Sequence, residues 1–177
     1  MISKNLIERT MKTDALKQHR YWLKIKWDKT KPLAFFIGVN PSDATSLEVD
    51  KTTMRIRNYC VQNNYGGYVM LNAYSWIGKK IKKITLKDSR NVENIRILNK
   101  ILDTCKSDLF IVCGRTHEAH NYISNKFGLK INAYKGRTFA LVDDYGAKLV
   151  HPSIFNINGN RIKPAKINIG TFNKIIF

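Results

Sequence analysis

The stretch "FFIGVNPSDAT" (35–45) decides how the chain is read. With the two residues before it, it begins as a continuous apolar run, "LAFFIGV" (33–39), and breaks at once into Asn40, Pro41, Ser42, Asp43 and Thr45. A run of seven apolar residues suits a strand buried on both faces, and the break delivers small polar groups at its carboxyl end. Three further segments follow the same plan. "YVMLNAYSW" (68–76) ends in Asn72–Tyr74, "DLFIVCG" (108–114) in Gly114–Thr116, and "TFALV" (138–142) leads through a turn to "KLVHPSIFN" (148–156) with His151–Ser153. Helical spacing separates them: "TTMRIRNYCVQNN" (52–64), "SRNVENIRILNKILDTC" (89–105) with Val92, Ile95, Leu98, Ile101 and Leu102 inward, and "THEAHNYISNKF" (116–127).

Buried strands alternating with helices predict an α/β domain, a three-layer α/β/α sandwich with a mainly parallel central sheet. In such sheets the ligand crevice lies beyond the carboxyl ends of the strands. Four polar clusters at four strand ends therefore predict one site. "RYWLKIKW" (20–27) alternates and reads as one more strand. Residues 1–19 read as a polar lead-in, weakly helical through 18, and residues 20–177 as a single domain.

Composition narrows the function. Lys and Arg number 31 against 13 Asp and Glu, a formal net charge of +18, which attracts polyanions and nucleic acid first among them. The competing reading is compositional drift toward Lys, Ile and Asn. No stretch approaches a membrane span and no apolar secretory core opens the chain, so a cytoplasmic location is expected. Cys60, Cys105 and Cys113 are widely spaced with no CxxC pair, which predicts reduced thiols and supports neither a zinc nor an iron–sulfur site. His117 and His120 lie three apart on a helix but lack a third ligand. No metal and no cofactor is expected.

The motifs "GVNPS" (38–42), "VMLNA" (69–73), "LFIVCG" (109–114) and "HPS" (151–153), in that order, resemble the uracil-DNA glycosylase superfamily. The resemblance covers about residues 33–156. A second likeness is closer. "RYWL" with a following Trp, "EVDKTTMR" (48–55), "YGG" (65–67), "LNAYSW" (71–76) and "HPS" are similar to a bacterial and phage family catalogued as a domain of unknown function, sixteen-forty-three.

The superfamily resemblance implies a DNA glycosylase that flips a uracil-like or 5-modified pyrimidine out of the stack and hydrolyses its N-glycosidic bond. It implies a monomer acting on single- or double-stranded DNA, in repair or in phage–host conflict. On this reading Asn40 positions the attacking water, and an Asn where the faster enzymes have Asp implies modest turnover. His151 hydrogen-bonds the pyrimidine O2 as negative charge builds there. Asn72 reads the base edge, with Val39 and Ser42 lining the base site. A small Ser42, where strict uracil enzymes have a bulky aromatic, implies room for 5-substituents. Ser153 and Thr45, with Lys79 and Lys80 of the basic stretch "GKKIKKITLK" (78–87), hold phosphates, and Phe155 fills the gap left by the extruded base.

Each assignment has a plainer alternative. Asn40 before Pro41 also caps or turns a chain, and Asn72 also serves as a structural hydrogen bonder. His151 and Ser153 also suit an ordinary loop, and Phe155 a core. Asp50 and Arg55 form either a structural ion pair or a pocket border, and Asp43 or Asp50 is the alternative general base, since a carboxylate deprotonates water where an amide does not. Two other functions fit the same residues: a non-catalytic binder of DNA or of a modified base, and an enzyme that cleaves free nucleotides or nucleosides.

Overall fold

This computed structural model describes residues 7–41, 50–78, 89–114, 117–142 and 163–166. Among the described residues seven strands and three helices follow in chain order: β1 (Glu8–Thr13), β2 (Arg20–Lys26), β3 (Leu33–Gly38), α1 (Lys51–Gln62), β4 (Gly67–Asn72), α2 (Ser89–Thr104), β5 (Leu109–Ile111), α3 (His117–Asn132), β6 (Thr138–Val142) and β7 (Lys163–Lys166). The strands form one sheet in the order β1-β2-β4-β3-β5-β6-β7.

The protein is thus α/β, but its sheet is mixed rather than mainly parallel. The central pairings β4–β3, β3–β5 and β5–β6 are parallel, whereas β1–β2, β2–β4 and β6–β7 are antiparallel. Connection length explains the antiparallel end. A parallel neighbour needs a crossover of a dozen residues or more. β1 and β2 are joined by a tight turn in which Lys17 takes a left-handed φ of 54°. The equally short passage from β2 to β3 reverses the chain, and β4 then enters between them.

β1 also corrects the lead-in. Residues 8–13 are not helical but an edge strand, paired with β2 from Glu8↔Lys26 to Thr13↔Arg20.

Period-two alternation sends neighbouring residues of the central strands to opposite faces. Phe35, Ile37, Val69, Leu71, Leu109 and Ile111 share a cluster with Leu98 and Leu102 of α2 and Ile123 and Phe127 of α3. Ala34, Phe36, Tyr68 and Phe110 join Leu23 and Ile25 of β2 and Ile56 and Cys60 of α1 in a second cluster. Phe36 stacks on Phe110 at 4.8 Å between centroids, and Phe110 on Phe139 at 5.0 Å. Cys60 and Cys113 are buried free thiols and Cys105 is half-buried. Burial pushes all three thiols up, away from the reactive thiolate.

α2 faces the core as expected through Leu98 and Leu102, with Ile95 and Ile101 packed against the same cluster, but not through Val92. Val92 is 60 % exposed, and the buried stripe runs through Asn91, Asn94, Ile97, Leu98 and Leu102.

Candidate functional site at the strand ends

The parallel core brings the carboxyl ends of β3, β4 and β5 to one end of the sheet. α1, α2 and α3 each precede a parallel strand and run back along it, so their amino termini face that same end. Helix amino termini carry unsatisfied N–H groups and a partial positive charge.

Gly38 pairs with Asn72, and β3 and β4 stay tied past their ends by hydrogen bonds from Ala73 N to Gly38 O (2.8 Å) and from Tyr74 N to Val39 O (2.9 Å). Gly38 lets the strands close here: a Cβ there would lie 2.6 Å from Met70 Cε and 3.1 Å from the Asn72 side-chain amide, and both side chains would have to shift. Asn72 is 1 % exposed. Its amide is satisfied with Nδ2 donating to the main-chain oxygens of Asn40 (3.3 Å) and Leu71 (3.2 Å). A buried amide requires such partners, so a base edge reading Asn72 would have to use its oxygen or displace one of these bonds.

Asn40 is half-buried directly after β3, and its Nδ2 donates to the carbonyls of Gly78 and, at 3.4 Å, Pro41. The structure therefore places Asn40 and Asn72 together. Val39 packs instead into the cluster shared with α2 and α3, on the opposite side of the sheet from Asn72, whose same-face neighbour two residues back on β4, Met70, packs against the α1 cluster. Only the Val39 main chain faces the strand junction.

Asp50 is the N-cap of α1. Its Oδ1 accepts from Thr53 N and Thr53 Oγ1, both at 2.6 Å, which accounts for one of its two carboxylate oxygens. It also acts on the buried Arg20: burial lowers that guanidinium's pKa, the Asp50 charge opposes the shift, and Arg9 adds to it. Arg55 lies one turn further along α1, half-buried. Ser42, Asp43, Thr45, Lys79, Lys80, His151, Ser153 and Phe155 lie outside the described residues, as do the side chains of His117 and His120 on the first turn of α3. Among the described residues no three His, Cys, Asp or Glu side chains are grouped as metal ligands. No helix among them is long and apolar enough to cross a membrane.

Four further contributors, Asn94, Asn91, Gly78 and His19, were not singled out from the sequence. Asn94 of α2, fully buried, donates from Nδ2 to the carbonyls of Asn72 (3.0 Å) and Ala73 (3.1 Å) and so caps the end of β4. One turn earlier Asn91 donates to the Tyr122 hydroxyl at 3.0 Å, and Tyr122 lies against Tyr74 at 4.7 Å. Gly78 offers the carbonyl that receives Asn40. His19, in the presumed lead-in, is buried with its Nδ1 2.7 Å from Ser75 Oγ and its ring edge-on to Trp76. Asp14, His19 and Ser75 are not arranged as a nucleophilic triad, because the Asp14 carboxylate accepts from the His19 main-chain N–H rather than from the ring. A Gly closing "YSWIG" was a readable turn signal, whereas Asn among the apolar residues of α2 was not.

No curated protein and no solved structure matches the chain. The family described as protein of unknown function (DUF1643) matches residues 20–153, about three quarters of the length, and spans β2 through β6 with the strand-end residues Asn40 and Asn72. The chain belongs to the DUF1643 family.

Proposed function

We propose that the protein is a DNA glycosylase hydrolysing the N-glycosidic bond of a uracil-like or 5-modified pyrimidine by base flipping. Its domain is then a three-layer α/β/α sandwich of the uracil-DNA glycosylase kind, working as a cytoplasmic monomer without metal or cofactor, in repair or in phage–host conflict. In the reaction, water adds its oxygen to C1′ as the C1′–N bond breaks. The bonding pair leaves with the base, which takes up a proton.

The observation that carries the reading is the juxtaposition of Asn40 and Asn72 at adjacent parallel strand ends, linked through the Asn40 carbonyl. An amide within reach of the site holds a water, and a second amide beneath it reads an edge. The net charge of +18 supports a polymeric anion as substrate. Asn40 also favours a second reading, a DNA or modified-base binder without chemistry, because an amide does not deprotonate water.

The test uses oligonucleotides carrying uracil, 5-hydroxymethyluracil, or modified and glucosylated cytosines, incubated with protein and then cleaved at abasic sites by hot alkali. The expected result is cleavage at one base, reduced roughly 100-fold in Asn40→Ala and in His151→Ala. Absence of cleavage on every oligonucleotide, with salt-sensitive DNA binding intact, replaces the glycosylase by the binder.

A further inference from the structure

Three asparagines form a relay across the strand ends, each side-chain amide donating to the main-chain carbonyl of the next member. Asn94 Nδ2 holds the carbonyl of Asn72 at 3.0 Å, Asn72 Nδ2 holds that of Asn40 at 3.3 Å, and Asn40 Nδ2 holds that of Gly78. The relay passes from α2 through β4 and the end of β3 to the turn at 76–78.

Its last step fixes the chemistry of Asn40. A primary amide has two hydrogens and one oxygen. Its nitrogen faces two carbonyl oxygens, of Gly78 and of Pro41, so rotation of the amide by half a turn would set oxygen against oxygen. Only Oδ1 is left to interact with a ligand, and it accepts from no described residue.

Gly78 is itself held. Its N–H donates to Pro41 O at 3.4 Å, and its φ of 146° is one that residues with a Cβ rarely adopt. A Cβ there would also lie 3.1 Å from Trp76 Nε1. Ile77 N donates to Gln18 O at 2.9 Å, His19 bridges Trp76, and the Ser75 hydroxyl meets His19.

We propose that Gly78 is a positioning residue of the site: its carbonyl orients Asn40 so that Oδ1 alone receives a hydrogen bond from a ligand O–H or N–H, and the site is therefore built for asparagine at 40 and closed to aspartate. That the donor is the attacking water rests on the glycosylase reading; the orientation does not. Asn40 is on this view no weakened aspartate. A carboxylate in its place would direct an oxygen at two carbonyl oxygens and lose both bonds.

The test is made on the full chain labelled with nitrogen-15. The Asn40 side-chain NH₂ signals are assigned by their loss in Asn40→Asp, and their exchange with water is compared with that of the exposed Asn58. The expected result is exchange about ten-fold slower than at Asn58, as one made hydrogen bond implies, and a rate rising toward that of Asn58 in Gly78→Ala. Asn40→Asp is expected to melt below Asn40→Ala and to release base no faster than wild type. Exchange at Asn40 as fast as at Asn58 in the wild-type protein overturns the proposal, whether or not Gly78→Ala folds. An Asn40→Asp variant as stable as wild type, or faster, overturns it as well. If wild type releases no base from any oligonucleotide, the glycosylase reading falls while amide exchange and melting still decide the role of Gly78.

Discussion

Asn94 and Asn40 show how differently single residues announce themselves. Asn40 was legible because a polar residue ends an apolar run, and Asn72 because an amide inside a buried strand requires partners. Asn94 is 0 % exposed and holds two carbonyls at the end of β4, yet in sequence it is one more polar residue on an amphipathic helix. Its role depends on which strand end lies beneath it, which only the fold supplies.

Asp108 is the second residue whose meaning is tertiary. It sits just before β5 at the opposite end of the sheet, accepting from Arg137 Nε (2.8 Å) and Nη2 (2.6 Å) and from the Tyr65 hydroxyl. Burial raises its pKa, but these hydrogen bonds and the Arg137 charge outweigh burial and hold the carboxyl below its usual range. A carboxylate with a lowered folded pKa contributes its full stability above the unfolded value near 4 and loses it as pH falls through the folded value. With solvent screening of the exposed Arg137, Asp108→Asn should cost about 1 kcal/mol at pH 7. In urea denaturation the gap to wild type should close as pH is lowered from about 4 toward 2. A gap constant over that range would remove the ionised carboxylate from the account.

At the scale of the element, the apolar runs located β3 through β6 because burial on both faces leaves no alternation to misread. The failures share one cause, a search for apolar periodicity alone. In α2 Ile95, Leu98, Ile101 and Leu102 pack inward as read, but in the first turns the polar Asn91 and Asn94 hold the buried positions, and apolar counting put Val92 there instead. In β1, "ERTMKT" has no buried residue at all. It is a strand because β2 offers it a ladder, with the ion pairs Lys24–Glu8 (2.9 Å) and Lys12–Glu93 (3.3 Å) at its sides.

Glycine at position 67 sets how closely β4 can approach its neighbours. A Cβ there would collide with the Ile25 carbonyl and lie 2.7 Å from Leu33 Cδ2 and 2.8 Å from Lys26 Cα, against backbone that cannot give way. Gly67→Ala should therefore destabilise by roughly 3 kcal/mol, seen as a lower urea midpoint. An unchanged midpoint would mean that β2 and β4 are less tightly joined than their register implies.

At the scale of the molecule, the class is legible in the sequence but the direction of every strand pairing is not. The alternation of strand and helix was readable, while the antiparallel end at β1 and β2 depends on turns too short to cross over, and that at β7 on a strand outside any apolar pattern. Charge is the other global property. With 31 basic and 13 acidic residues, DNA affinity should fall with salt by about 0.9 logarithmic units per tenfold rise for each phosphate neutralised. For a surface contacting about five phosphates the slope is roughly −4 to −5, measured by fluorescence anisotropy on a labelled oligonucleotide. A slope near zero would mean that the charge serves no polyanion.

The turn that carries Gly78 is fastened to Gln18 and His19, just ahead of the stretch shared with the family. Trimming the gene to that shared stretch, a natural economy for a laboratory seeking a minimal domain, would start the chain at Arg20. It would strip one strand from the sheet, bare the edge of β2 to other molecules, and cut the tether behind Asn40. An inert product from such a shortened gene would then report on the missing arm and say nothing about what the full chain does.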